Sequence, residues 1–165
     1  MRVLLGRRSE KLGLLIISSL AIALFSVFPA RAEWVTGVTT DLDTQGIGGQ
    51  IEYHWQEFGS LGGLVANFAV AARLDADGDG WMGGGVAGLY RLRDGFFVEG
   101  SFMPGAYKVG ETDLGGALHF RSLIGVGYEF SESFAISITI DHMSNGSTQS
   151  ENPGSDAITL RFKIR

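Results

Sequence analysis

Cysteine is absent from the 165 residues, and proline and histidine occur only three times each. Without cysteine there is no disulfide framework and no thiolate chemistry. Positive charge is scarce as well. Five of the 13 Lys and Arg residues, but only one of the 18 Asp and Glu residues, lie within the first 32 positions, leaving a net charge of −9 over 33–165. So acidic a chain is not a nucleic-acid binder. Past the N-terminal stretch helical periodicity is weak, which argues against an α-helical domain. Glycine, by contrast, is abundant at 25 residues. Together with the strong alternation described below, it points to β structure with tight turns and close backbone contacts, not to disorder.

The N-terminal stretch reads as a leader. Arg2, Arg7, Arg8 and Lys11 precede a mostly apolar run over 12–28, and Ala30-Arg31-Ala32 fits a small-x-small cleavage site. The expected organisation is a signal peptide over 1–32 and a single domain over 33–165. A retained transmembrane helix is the alternative, though the run is short for a span.

Eight strand-like segments follow, at 34–41, 47–56, 63–73, 81–92, 95–103, 116–130, 133–144 and 156–165. Their length suits tilted strands crossing a bilayer. The phase is consistent: Ile47, Ile51, Tyr53 and Trp55 oppose Gln50, Glu52, His54 and Gln56, and Leu118, Phe120, Ile124, Val126, Tyr128 and Phe130 oppose His119, Arg121 and Glu129. Farther on, Phe134, Ile136, Ile138 and Ile140 oppose Ser137, Thr139 and Asp141, and Ile158, Leu160, Phe162 and Ile164 oppose Thr159, Arg161, Lys163 and Arg165. Alternation alone does not separate a soluble lipocalin-like barrel from a membrane barrel. The bulk of the apolar face and the aromatics at strand ends favour the membrane form. Connection lengths agree, with short turns expected around Gly59-Ser60, Asp94-Gly95 and Ser131-Glu132, and longer loops at 42–46, 74–80, 104–115 and 145–155. The expected fold is therefore all-β: an eight-stranded antiparallel transmembrane β-barrel of the outer membrane, with no free edge.

Segment seven continues its apolar phase into His142 and Ser144, and segment eight carries Asp156 in phase with Ile158 and Leu160. Residues two apart on a strand share a face. All three polar side chains are thus expected on the lipid-facing wall near the extracellular rim, where polar groups are costly without a reason. A hydrolytic triad supplies one: Ser144 as nucleophile, His142 as base and Asp156 as the group orienting the imidazole. Backbone N–H groups of the following turn at Gly146, with the Asn145 side chain, are the expected oxyanion donors.

The run His142-Met143-Ser144-Asn145, with Asn152-Pro153-Gly154 and Asp156 after it, resembles the His-x-Ser-Asn signature of the lipid A 3-O-deacylase (PagL) family. The likeness extends upstream through Gly125-Val126-Gly127-Tyr128 and Leu114-Gly115 to Pro104-Gly105. The resemblance implies an outer-membrane esterase that cleaves the acyl chain at the 3 position of lipid A without a metal or other cofactor. It carries the nucleophile onto Ser144, the histidine onto His142, the acid onto Asp156 and the motif asparagine onto Asn145. The family's best-known member has glutamate where Asp156 stands, and Glu151 is the second candidate for the acid. Phe120, Ile140, Ile158 and Leu160 are expected to line the acyl groove. The partner is lipid A within lipopolysaccharide; the sequence is as compatible with a homodimer as with a monomer. A non-enzymatic barrel with a structural or adhesive role is the alternative function, and a soluble lipocalin-like binder a third.

Two further motifs invite functional readings. The segment Asp75-Ala76-Asp77-Gly78-Asp79-Gly80 matches the first half of a calcium loop, but Val86 stands at the twelfth position. An acidic extracellular loop is the expected reading. Gly83-Gly84-Gly85 lacks the lysine and helix start of a phosphate cradle and reads as a thinned strand. His54 and His119 are expected in an interior hydrogen-bond network with Glu52, Glu99, Arg121 and Glu129.

Overall fold

A computed structural model of the chain describes residues 32–165. The expected leader, apart from Ala32, lies outside the described residues. The eight strands are β1 (Glu33–Asp41), β2 (Ile47–Leu61), β3 (Leu64–Asp75), β4 (Gly80–Arg91), β5 (Phe96–Lys108), β6 (Leu118–Ser131), β7 (Phe134–Ser144) and β8 (Ser155–Ile164). Each pairs antiparallel with its neighbours, and β1 also pairs with β8, so the sheet closes into a barrel. Closure leaves no row of unpaired backbone groups, the condition for a sheet to survive in hydrocarbon.

Burial follows the alternation, with the usual polarity inverted. Ile124, Ile138 and Ile140 on the outside are more than half exposed, whereas Arg121, Arg161 and Lys163 inside are each 1% exposed. A soluble barrel hides its apolar face; this one displays it all round, and hydrocarbon is the medium that fits such a surface. Aromatic rings gather at the short-turn end. Trp34, Tyr53 and Trp55 form edge-on contacts, as do Phe96, Tyr128 and Phe130. That placement suits an interfacial girdle.

The interior is filled by paired charges. Glu52 accepts from Arg121 at 2.7 Å and from Arg161 at 2.5 Å. Arg161 and Lys163 both meet Glu99, at 3.1 and 2.8 Å, and Lys163 also reaches Glu33 at 3.0 Å. Nearer the long-loop end, Trp81, Met103, Tyr107, Leu114 and Met143 form an apolar cluster. Gly83 and Gly105 flank Trp81, and a Cβ at either would collide with the indole. The thinned strand is thus what admits this ring.

Several boundaries differ from expectation. The turn expected at Gly59-Ser60 lies at Gly62-Gly63, with φ of 57° and 92°, the paired positive values that a two-residue hairpin requires. Strand β2 reaches Leu61 because it absorbs register shifts around Glu57, which disturb the alternation without ending the strand. Strand β5, expected to stop before Pro104, runs on to Lys108. The β4–β5 ladder is interrupted opposite Met103 and Pro104, whereas the β5–β6 ladder continues through Pro104 opposite Phe120 and carries the strand onward. Glu129 also sits apart from the central network; it pairs with Arg91 and Arg165 at the short-turn rim. His54 joins that network, bonded to Glu52 at 2.8 Å. His119 instead lies 3.1 Å from the Leu114 carbonyl.

Candidate active site

The β7–β8 register sets His142 directly opposite Asp156. On the outer wall the two side chains meet, with His142 Nδ1 2.7 Å from Asp156 Oδ1. Both are about half exposed. The carboxylate commits Nδ1 and leaves Nε2 as the nitrogen able to exchange a proton. Ser144 lies two residues along the same face and is partly buried. Among the described residues its hydroxyl has no hydrogen-bond partner, and neither has Nε2. Glu151, the other candidate acid, is exposed in the loop, and its backbone carbonyl is what the structure uses.

The neighbouring strands build an apolar field around the pair. On β6, Ser122 stands opposite His142 and Phe120 opposite Ser144. One step toward the membrane centre lies the row Ile124, Ile140 and Ile158, and the next step gives Val126, Ile138 and Leu160. The four groove residues expected from sequence therefore share the outer wall with the His–Asp pair, although Leu160 sits two rows below it.

Asn145 is placed otherwise than expected. The alternation that turns Ser144 outward turns Asn145 inward, where it is fully buried. Its Nδ2 donates to the Gly115 and Glu151 carbonyls at 2.6 Å each, and its N–H donates to Asn152 Oδ1 at 2.9 Å. Its donors are spent inside the wall, away from the outer face that carries His142 and Ser144. Gly146 has φ 63°, lies against the Phe120 ring, and its N–H meets no acceptor among the described residues.

Gly154 and Asn152 were not legible as site residues beyond their place in the motif. A Cβ on Gly154 would stand 3.4 Å from His142 Cε1 and 3.9 Å from Ser144 Cβ, so this backbone lies against both residues. Asp41 supports the same corner. It accepts from Ser155 Oγ at 2.5 Å, and the Leu42 N–H donates to the Asp156 carbonyl at 2.8 Å. In the acidic loop, Asp79 turns inward and accepts the N–H groups of Gly110 and Thr112 at 2.5 and 3.2 Å. Burial alone would raise its carboxyl pKa, but these hydrogen bonds outweigh it and hold the group below the usual carboxylate range.

Outward apolar surface, a sealed polar interior and full closure define an outer-membrane β-barrel. The model of the lipid A 3-O-deacylase (PagL) family matches residues 30–165, and the chain belongs to that family. The lipid A deacylase PagL of Pseudomonas aeruginosa is 30% identical over 71 residues, 41% of this chain. The match likewise spans 41% of that relative's length. Among solved structures, the outer membrane enzyme PagL superposes with a TM-score of 0.69 at 19% identity, over 81% of this chain and 99% of its own. A de novo designed transmembrane β-barrel reaches 0.54 at 10% identity, over 82% of this chain and 97% of its own. Both likenesses concern the fold.

Proposed function

We propose that the protein is a lipid A 3-O-deacylase: a serine esterase that hydrolyses the ester-linked 3-hydroxyacyl chain at the 3 position of lipid A in the outer leaflet. The observation that carries this reading is the His142–Asp156 pair at 2.7 Å on the lipid-facing wall, with Ser144 two residues along the same face. Membership of the family supports it.

In the proposed mechanism Asp156 accepts the Nδ1 proton of His142 in a hydrogen bond, so Nε2 is the basic nitrogen. Rotation of the Ser144 side chain closes its contact with Nε2; such bonds commonly tighten only around substrate. Ser144 Oγ attacks the ester carbonyl as Nε2 takes its proton, and the Gly146 N–H receives the oxyanion that forms. Collapse expels the sugar 3-oxygen, which leaves with the proton from Nε2. Water, deprotonated by the same nitrogen, then attacks the acyl–Ser144 ester, and Nε2 returns that proton to Ser144 Oγ as the fatty acid leaves. Phe120, Ile140, Ile158 and Leu160 hold the acyl chain along the wall. Substrate arrives by lateral diffusion in its own leaflet, so no deep soluble pocket is needed.

The test is mass spectrometry of lipid A from cells expressing the wild-type protein or Ser144→Ala. The expected result is loss of one 3-hydroxyacyl group only with wild type. Identical spectra would support the alternative, a barrel with a structural or adhesive role, and would overturn the esterase reading.

A further inference from the structure

The turn after the proposed nucleophile is held from inside the barrel. Asn145 Nδ2 joins the Gly115 and Glu151 carbonyls at 2.6 Å each and reaches that of Leu114 at 3.4 Å. Its Oδ1 accepts the Ser147 N–H at 2.9 Å, and its own N–H donates to Asn152. One buried amide therefore ties the β5–β6 loop (109–117) to both arms of the β7–β8 loop (145–154). The fit at Gly115 is close. Its φ is 80°, and a Cβ there would collide with the Glu151 carbonyl and stand 2.9 Å from Asn145 Nδ2.

The β5–β6 loop is itself anchored at its far end. Asp79 holds Gly110 and Thr112, and Tyr107 Oη donates to the Thr112 carbonyl at 2.8 Å. The Leu114 side chain is buried with Trp81, Tyr107 and Met143. The connection runs from Asp79 through the loop to Gly115, then through Asn145 to the Ser144-Gly146 turn.

We infer that the β5–β6 loop is a brace that sets the position of the Ser144-Gly146 turn, with Gly115 and Asn145 as positioning residues and Asp79 as the remote anchor. This rests on the reading of Ser144 as nucleophile and Gly146 as oxyanion donor. A catalytic constellation has to be held within about 0.5 Å of its productive geometry, and a loop at a strand end does not hold itself so closely. A brace from the interior does so without occupying the outer face, which stays open to lipid. The Asn145 amide suits the task because its donors and acceptor are all satisfied, and a fully satisfied buried polar group fixes one arrangement.

The test compares the full-length wild type with Gly115→Ala, Asn145→Asp, Asp79→Asn and the loop control Glu111→Gln, each purified in detergent and assayed on lipid A in mixed micelles. Folding is checked by the heat-dependent gel mobility of the barrel. Folded Gly115→Ala and Asn145→Asp are expected to lose kcat about 10- to 100-fold with apparent KM within twofold, since displacement of about 1 Å costs rate and not binding. Asp79→Asn is expected to lose a few-fold in the same way, and Glu111→Gln nothing. A folded Gly115→Ala with wild-type kcat overturns the brace, and so does a rise in KM at constant kcat, which would mean the loop binds substrate. If Gly115→Ala does not fold, Asn145→Asp and Asp79→Asn decide by the same split. An inactive wild type overturns the functional reading and the brace with it; an active wild type with an unimpaired set of variants overturns the brace alone.

Discussion

Asp141 and His142 are neighbours on β7, yet they live in opposite environments. Asp141 points inward, 2% exposed, and its carboxylate accepts from Arg121, Thr139 and Thr159. His142 points outward, half exposed, with a single bond to Asp156 and a ring nitrogen to spare. The same kinds of ionisable group thus do different work according to how fully they are satisfied. Inside, the charges are paired with one another and hold the barrel together. Outside, one partner orients the imidazole and leaves its second nitrogen open for proton transfer, the arrangement a general base requires.

Removing the proposed outer nucleophile should give the largest effect. Ser144→Ala is expected to lower lipid A hydrolysis by at least about 10⁴-fold while the barrel folds normally, measured as fatty acid release in micelles. Arg121→Met attacks the inner region instead. It leaves Asp141 as a buried carboxylate without its cationic partner and Glu52 with Arg161 as its remaining guanidinium, and should destabilise the barrel by about 3–5 kcal/mol, read as a lower urea midpoint in lipid vesicles. Activity per folded molecule should persist, which would sharpen the division between the two regions. The smallest effect is expected at the groove. An acyl chain leaving the bilayer for the wall exchanges one hydrocarbon contact for another, so Ile140→Ala should alter the rate by less than about threefold. A loss approaching that of Ser144→Ala would mean that Ile140 shapes the reacting centre.

The period-two pattern carried most of the fold. Phase puts polar residues such as Glu52, Arg121 and Arg161 on one face, the bulk and aromatics of the opposite face mark that one as lipid-facing, and the structure buries the polar set inside. Strand ends were less legible, because the Glu57 irregularity and Pro104 both imitate a stop where the ladder continues. At the site, the phase of 142, 144 and 156 foretold a shared outer wall. The same phase also implied that Asn145 turns inward, an implication hidden by the chemical appeal of an amide beside a serine. Gly154 and Gly115 could not be found this way. A glycine has no side chain to carry a phase, and its importance lies in which distant backbone approaches it.

The most direct test sets the two faces against each other in one measurement: lipid A hydrolysis per folded molecule for Asp156→Asn and Asp141→Asn. The account predicts a loss of about 10³- to 10⁴-fold for Asp156→Asn, as an asparagine would hold the imidazole in the wrong tautomer, and near wild-type turnover for the less stable Asp141→Asn. Full activity in folded Asp156→Asn, or its loss in Glu151→Gln instead, would contradict it.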